Sequence, residues 1–179
     1  MTDGISAVRK TMKKLMLVIG LLCAVCTWTN AEITEAKIQD SKDRVEKIKE
    51  VKNNLAGVST GNGQVDAFKD KAVEVCEEVI KSGEKMAELY TAMNANQNVL
   101  KEAVELSLQL AEEGTRAAEL GKMAEPAGKE MKNIKNPKTL LSAKKIISNA
   151  TDAATLSIKE IAFQVQLINE MVEILKAKQ

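Results

Sequence analysis

Histidine is absent from this chain, and proline and aromatic residues are scarce. The 179 residues include no His, two Pro and only 2% aromatic side chains. Without imidazole there is no Ser-His-Asp or Cys-His nucleophile pair, no His acid or base and no His-ligated metal. The remaining composition, with 45% hydrophobic and 28% charged residues, is ordinary for a globular chain. The sequence therefore predicts a protein that is not an enzyme, with no catalytic, cofactor-binding or metal-ligating residues.

The first 31 residues have the three-part order of a secretory signal peptide. A basic segment at 9–14 precedes an uncharged apolar run at 15–25, and small residues at 29–31 offer a cleavage site. The apolar run has 11 residues, whereas a bilayer span needs about 20, so cleavage is favoured over a retained anchor. Met12, directly before the last two lysines of the basic segment, is an alternative start to Met1.

Cys23 and Cys26 lie in this segment and raise the alternative of a lipidated N-terminus. Bacterial lipidation requires a small residue before the cysteine, and neither cysteine follows one. We therefore expect release after Ala31 and a secreted or periplasmic protein of the cell envelope. Residues 32–179 are then expected to form a single helical-bundle domain.

Removal of the signal peptide changes both the charge and the aromatic content. It leaves 22 basic and 24 acidic residues, so the net charge moves from +1 to −2. Phe68, Tyr90 and Phe163 are then the only aromatic residues. Because nucleic-acid binding relies on basic surfaces and aromatic stacking platforms, no nucleic-acid partner is expected.

Apolar residues beyond position 32 recur at steps of three and four, and no segment alternates with a period of two. This periodicity predicts helices at about 33–58, 64–93, 97–123 and 138–177. In the last three segments the apolar residues keep a heptad register, which is typical of coiled-coil-like packing. The fourth carries a second apolar row, as a helix with more than one neighbour would. The predicted fold class is all-α, an elongated antiparallel helical bundle.

The junction at 94–98 allows two architectures. It contains three Asn but no Gly or Pro, and the heptad register continues across it. A hairpin there produces an up-down four-helix bundle. A continuous central helix of about 60 residues produces three helices, with a rod about 90 Å long. The three Asn favour the hairpin.

Two further breaks are expected where glycine or proline is concentrated. The segment 57–63 has three glycines but lacks the Gly-Lys-Ser/Thr ending of a phosphate loop, so we interpret it as a flexible turn. The segment 124–137 contains both prolines and is predicted to be a connection. Asn136 is suited to cap the last helix and Pro137 to start it.

Two carboxylate pairs and two glycines are the other candidate features. Glu77-Glu78 and Glu112-Glu113 would need Glu-x-x-His partners to form a di-metal site, so we interpret both pairs as solvated helix surface. Gly114 and Gly121, seven residues apart, indicate close helix packing rather than ligand binding.

Cys76 is the only cysteine of the predicted mature chain. It lies one residue round from the apolar seam, so we expect it to be half covered at most. The negative charge of Glu74, Glu77 and Glu78 should raise the pKa of its thiol and repel an identical helix. These effects predict a reduced thiol and a monomer.

Three classes of function fit these features. The first is an exported, non-enzymatic helical interaction or scaffold protein with protein partners of unknown identity. The alternatives are a membrane-active helical protein that inserts amphipathic hairpins, and a binder of a small apolar ligand in the bundle core. No permanent membrane span is expected, because no stretch of 32–179 reaches 18 uncharged apolar residues.

Export is predicted to remove residues 1–31 and leave Glu32 as the new N-terminus. The intact mass of protein purified from its own host measures this directly. A mass that still includes Trp28 would refute cleavage at this site, and a diacylglycerol on Cys26 would favour the lipoprotein.

Overall fold

The computed structural model describes residues 33–178, which are almost entirely helical. The predicted signal peptide and its cysteines lie outside the described residues. Helices make up 88% of the described part, which contains no strand, so the predicted all-α bundle is confirmed. The elements in chain order are α1 (Glu35–Leu55), α2 (Gly63–Asn94), α3 (Leu100–Glu130), a short 3₁₀ turn (Met131–Asn133) and α4 (Pro137–Ala177).

The central pair of the bundle is formed by α2 and α4, which run parallel. Cys76 Sγ of α2 lies 3.7 Å from Ser157 Oγ of α4, and further along both helices the Gln164 amide donates to the carbonyl of Val79. α1 packs against both central helices, and so does α3, whereas α1 and α3 barely meet each other. The bundle therefore consists of two three-helix units, α1/α2/α4 and α2/α3/α4, that share their central pair.

The junction between α2 and α3 is a hairpin, so the continuous-helix alternative is wrong. Asn96 has a φ of +58°, in the left-handed region that Asn tolerates better than most residues. Its N–H donates to the carbonyl of Met93, and the N–H of Gln97 donates to the carbonyl of Ala92. These two bonds form a Schellman motif, which ends α2 and reverses the chain.

The predicted connection at 124–137 is wrong over its first half, because α3 continues through Pro126 to Glu130. A proline inside a helix removes one backbone hydrogen bond and normally kinks or ends the helix. Here Ala124 and Ala127 on either side are buried in the core, and this packing keeps the segment helical. The capping prediction is confirmed, since the Asn136 side chain accepts from the N–H groups of Lys138 and Thr139.

The loop between α1 and α2 is held by one carboxylate. Asp66 accepts hydrogen bonds from the hydroxyls of Ser59 and Thr60 and from the backbone N–H groups of Thr60 and Gly61. Burial alone would raise the pKa of Asp66, but these bonds outweigh it and lower the pKa. Gly57 and Gly61 have φ near +70°, a conformation that glycine adopts without strain.

The apolar interior is divided into two clusters along the bundle. The loop-side core surrounds Phe68 and includes Leu55, and the hairpin-side core surrounds Leu106 and includes Met93. Within residues 33–178, no helix combines the length and hydropathy that a membrane crossing requires. In α4 the predicted heptad stripe is buried except for the partly buried Val165; its members are Ile147, Ala154, Ile158, Ile161, Val165, Ile168, Val172 and Leu175.

Ile161→Asp is predicted to lower the free energy of unfolding by at least about 3 kcal/mol, because it places a carboxylate at a buried position. Ile161 is 1% exposed. Val165→Asp should lower it less, since that side chain is partly buried, and the exposed Lys159→Ala by under about 0.5 kcal/mol. Urea unfolding measures all three. Equal stability of the Ile161 and Lys159 variants would mean that this register is wrong.

Candidate functional site

Five buried polar side chains separate the two cores at one level of the bundle. We call this set the polar layer: Ser41, Ser82, Glu113, Glu160 and Gln164. On α3, for example, Glu113 lies between Leu110 of the hairpin-side core and Ala117 of the loop-side core. Buried polar groups usually have hydrogen-bond partners. The partners of these five side chains show which helices the polar layer joins.

One half of the polar layer joins α1, α2 and α4. Glu160 Oε1 accepts hydrogen bonds from the Ser41 hydroxyl and, at 3.0 Å, from the Gln164 amide. The same amide nitrogen lies 3.4 Å from the carbonyl oxygen of Val79. The Ser41–Glu160–Gln164 triad therefore links all three helices of its unit.

The other half repeats the same chemistry between α2 and α3, within the α2/α3/α4 unit. Glu113 Oε1 accepts from the Ser82 hydroxyl at 2.5 Å and from the Gln109 amide at 2.8 Å. As in the first triad, the glutamine lies four residues from the glutamate on the same helix. Each three-helix unit thus contains one Ser–Glu–Gln triad, in which a single carboxyl oxygen accepts both bonds.

The second carboxyl oxygen of each triad has no donor within the described part of the chain. Glu113 Oε2, Glu160 Oε2 and Gln164 Oε1 are buried without a hydrogen-bond partner there. All three are acceptors, so a water molecule or a cation would satisfy any of them, and a proton would neutralise either carboxylate. Among residues 33–178, no group of three or more His, Cys, Asp or Glu side chains is arranged to hold a metal ion.

Burial raises the pKa of Glu160 from 4.5 to about 7. The hydrogen bonds from Ser41 and Gln164 and the positive charge of Arg44 oppose this rise, and Asp40 adds to it. Arg44 itself bonds to Asp40 and lies 4.2 Å above the ring of Phe163. Glu160 is therefore a buried proton-binding group that changes charge near neutral pH.

Gly83 allows α2 to approach its two neighbours closely at the polar layer. A Cβ atom at Gly83 would lie 2.7 Å from Val45 Cγ2 and 2.9 Å from Gln164 Nε2. At Gly114 the nearest such atom, Ile161 Cγ2, is 3.7 Å away, an ordinary contact. The close approach predicted for Gly114 is thus found at Gly83 instead.

Two surface predictions are wrong. Glu112 is exposed as expected, but Glu113 is fully buried, because it occupies the inward heptad position between Leu110 and Ala117. Cys76 is also fully buried rather than half covered, since it packs against α4 beside Ser157.

The pKa of the Cys76 thiol is raised, as predicted, but burial is the main cause. Glu77 adds to the rise, while the hydrogen bond with Ser157 and the charge of Lys52 oppose it. Glu78 forms an ion pair with Arg116. The buried thiol offers no exposed sulfur to a second folded chain.

The outer face of α3 carries apolar side chains in water. Leu108 is 66% exposed and Val104 is 39% exposed. Leu100 and Val104 line an open depression of about 470 Å³, together with Lys101 and Glu105. This face is a candidate contact surface, and we call Leu100, Val104, Leu108 and Ala111 the α3 stripe.

No protein-family model, no curated protein and no solved structure matches the chain.

Gly83→Ala is predicted to destabilise the bundle, whereas Gly114→Ala is not. The added methyl at Gly83 must displace Val45 or the Gln164 amide, and overpacking costs about 1–3 kcal/mol. Alanine is favoured over glycine in a helix by about 1 kcal/mol, so we expect a net loss of up to about 2 kcal/mol at Gly83. At Gly114 only the helix preference remains. Urea unfolding measures the free energy of unfolding of both variants. Equal changes in Gly83→Ala and Gly114→Ala would contradict the close approach of the helices at Gly83.

Stability is predicted to fall as the pH rises from 5.5 to 8. In this window the folded chain keeps the Glu160 proton that the unfolded chain has already released above 4.5, so the folded state binds more protons. The whole shift corresponds to about 3 kcal/mol. About 2 kcal/mol of this is lost between pH 5.5 and 8, because the unfolded chain has already begun to release its proton below pH 5.5. No His titrates in this range, because the chain has none.

Urea unfolding at pH 5.5, 6.5, 7.5 and 8 measures this dependence, which Glu160→Gln should remove. Asp152→Asn is the matched control, since partial burial also raises the pKa of that carboxyl, and it should leave the dependence intact. A wild-type stability that is flat or increases over the range would count against a protonated Glu160.

Proposed function

We propose that this protein is an exported, non-enzymatic helical interaction protein that binds a protein partner through the α3 stripe. The site of action is the periplasm or the outside of the cell, as the order of residues 1–31 indicates. The observation that carries the proposal is the exposure of Leu108 on the outer face of α3.

The α3 stripe has the spacing of a helix-recognition surface. Its members lie at steps of three and four residues, so they share one side of α3. Exposed apolar groups of this kind, bordered by charged residues such as Lys101 and Glu105, are typical of protein contact sites. Complete burial of an exposed leucine side chain, such as that of Leu108, in an interface is favourable by about 1.5–3 kcal/mol.

The absence of imidazole and the structural use of the buried glutamates support a non-enzymatic role. Glu113 and Glu160 are both engaged by serine and glutamine from within the bundle. Neither glutamate is exposed, so a substrate would have to open the bundle to reach them.

Leu108→Asp is predicted to remove the partner from crosslinked pull-downs of the native envelope. The substitution lies on the surface, so the melting temperature should stay close to that of the wild type. Leu141→Asp is the matched control, because Leu141 is 70% exposed but lies near the start of α4, away from the α3 stripe. It should retain the partner.

Recovery of the same partner with both variants would exclude the α3 stripe as the binding surface. Dye leakage from lipid vesicles that the wild type causes and Leu108→Asp does not would favour the membrane-active alternative. Thermal stabilisation by a lipid extract would favour the apolar-ligand alternative.

A further inference from the structure

α1 is the helix most easily separated from the bundle. It packs mainly on the central pair, and it contributes four buried apolar side chains from its own length: Ile38, Val45, Ile48 and Leu55. Its ion pairs with the central helices are partly exposed, including the 3.0 Å pair of Lys37 with Glu170. The glycine-containing loop joins it to α2. Elements with few buried contacts open before the rest of a fold.

The middle of α1 is fastened to α4 by one buried hydrogen bond, from the Ser41 hydroxyl to Glu160. An ionised Glu160 would leave its second oxygen, Oε2, charged and without a donor from the described residues. Such a group must recruit water or a cation. Separating α1 from the bundle would expose the Glu160 carboxylate to water and would break fewer helix contacts than separating any other helix. The α2/α3/α4 unit would stay packed, because it has its own triad and its own apolar core.

The groups around Glu160 do not supply a dedicated counter-charge. From α1, Asp40 and Arg44 face it, and Arg44 is engaged with Asp40 and the ring of Phe163. From α2 the neighbours of its partner Gln164 are a backbone carbonyl and Gly83. From α4 it has only the neutral Gln164 amide.

The remaining helix, α3, offers no counter-charge to Glu160 either. At this level α3 contributes another carboxyl, Glu113, which belongs to the other unit and is held by Ser82 and Gln109. Arg116 of α3 is paired with Glu78. A proton is therefore the simplest way to neutralise Glu160 while α1 stays packed.

We propose that the Ser41–Glu160–Gln164 triad is a proton-operated latch, in which protonated Glu160 keeps α1 on the central pair and loss of the proton above neutral pH releases α1 alone. The raised pKa of Glu160 places the change near pH 7. Release exposes the apolar side of α1, including the fully buried Ile48, while α2, α3 and α4 remain packed. The protein would thereby present a second apolar surface more often above about pH 7 than below it.

Hydrogen exchange read by mass spectrometry tests the latch on protein purified from its host. Exchange is compared at pH 5.5 and 8 after correction for the intrinsic rate. We expect amides of α1 to lose at least about tenfold more protection than those of α3 at pH 8. Glu160→Gln should abolish the difference between the two pH values, and Glu113→Gln, in the matching triad of the other unit, should retain it.

Three results would overturn the latch: equal α1 protection at both pH values, a uniform loss over all four helices, or a pH response that survives Glu160→Gln. Ser41→Ala is a second variant that keeps the glutamate and removes the hydrogen bond from α1. It should loosen α1 relative to α3 already at pH 5.5. Unchanged α1 protection in this variant would also count against the latch.

Discussion

The close approach of α2 to α1 and α4 at Gly83 is the constraint on which the rest of the structure depends. The absence of a Cβ atom there brings Val45 and the Gln164 amide against the α2 backbone. That position of Gln164 allows its amide to donate both to Glu160 and to the carbonyl of Val79. A larger residue would separate the helices and leave buried polar atoms without partners, which is costly in an apolar interior.

The polar layer stabilises one arrangement of the helices rather than adding much to the free energy of folding. Buried charged or polar groups often contribute less than apolar replacements, but they disfavour alternative registers. A shift of α1 by one turn would move Ser41 away from Glu160 and place an apolar side chain against the carboxyl. The second triad applies the same restriction to α3 through Ser82 and Glu113. We infer that the two triads set the register of both outer helices against the central pair.

Apolar spacing at steps of three and four was sufficient to predict the four helices and most of the core, because the buried positions of a helix follow directly from that spacing. The hairpin could be favoured from three Asn, but the left-handed Asn96 that ends α2 depends on packing beyond the local sequence. The heptad spacing places Glu113 at a buried position between Leu110 and Ala117. Because a glutamate is normally exposed, its residue type predicted the surface instead. Glu160 and Gln164 continue a second row beside the main stripe of α4. The burial of this second row depends on where α1 and α3 dock. Helix continuation through Pro126 similarly depends on tertiary burial of Ala124 and Ala127.

Carbon-13 NMR of the glutamate side-chain carboxyls tests the central claim most directly, namely that Glu160 is a buried carboxyl protonated below neutral pH. The Glu160 signal, assigned by its disappearance in Glu160→Gln, should titrate with a midpoint of about 7. The reference value is that of a glutamate in water, for which the ordinary pKa is about 4.3. A Glu160 midpoint coinciding with that reference would contradict the account, because an ionised carboxylate would then occupy the polar layer throughout the neutral range.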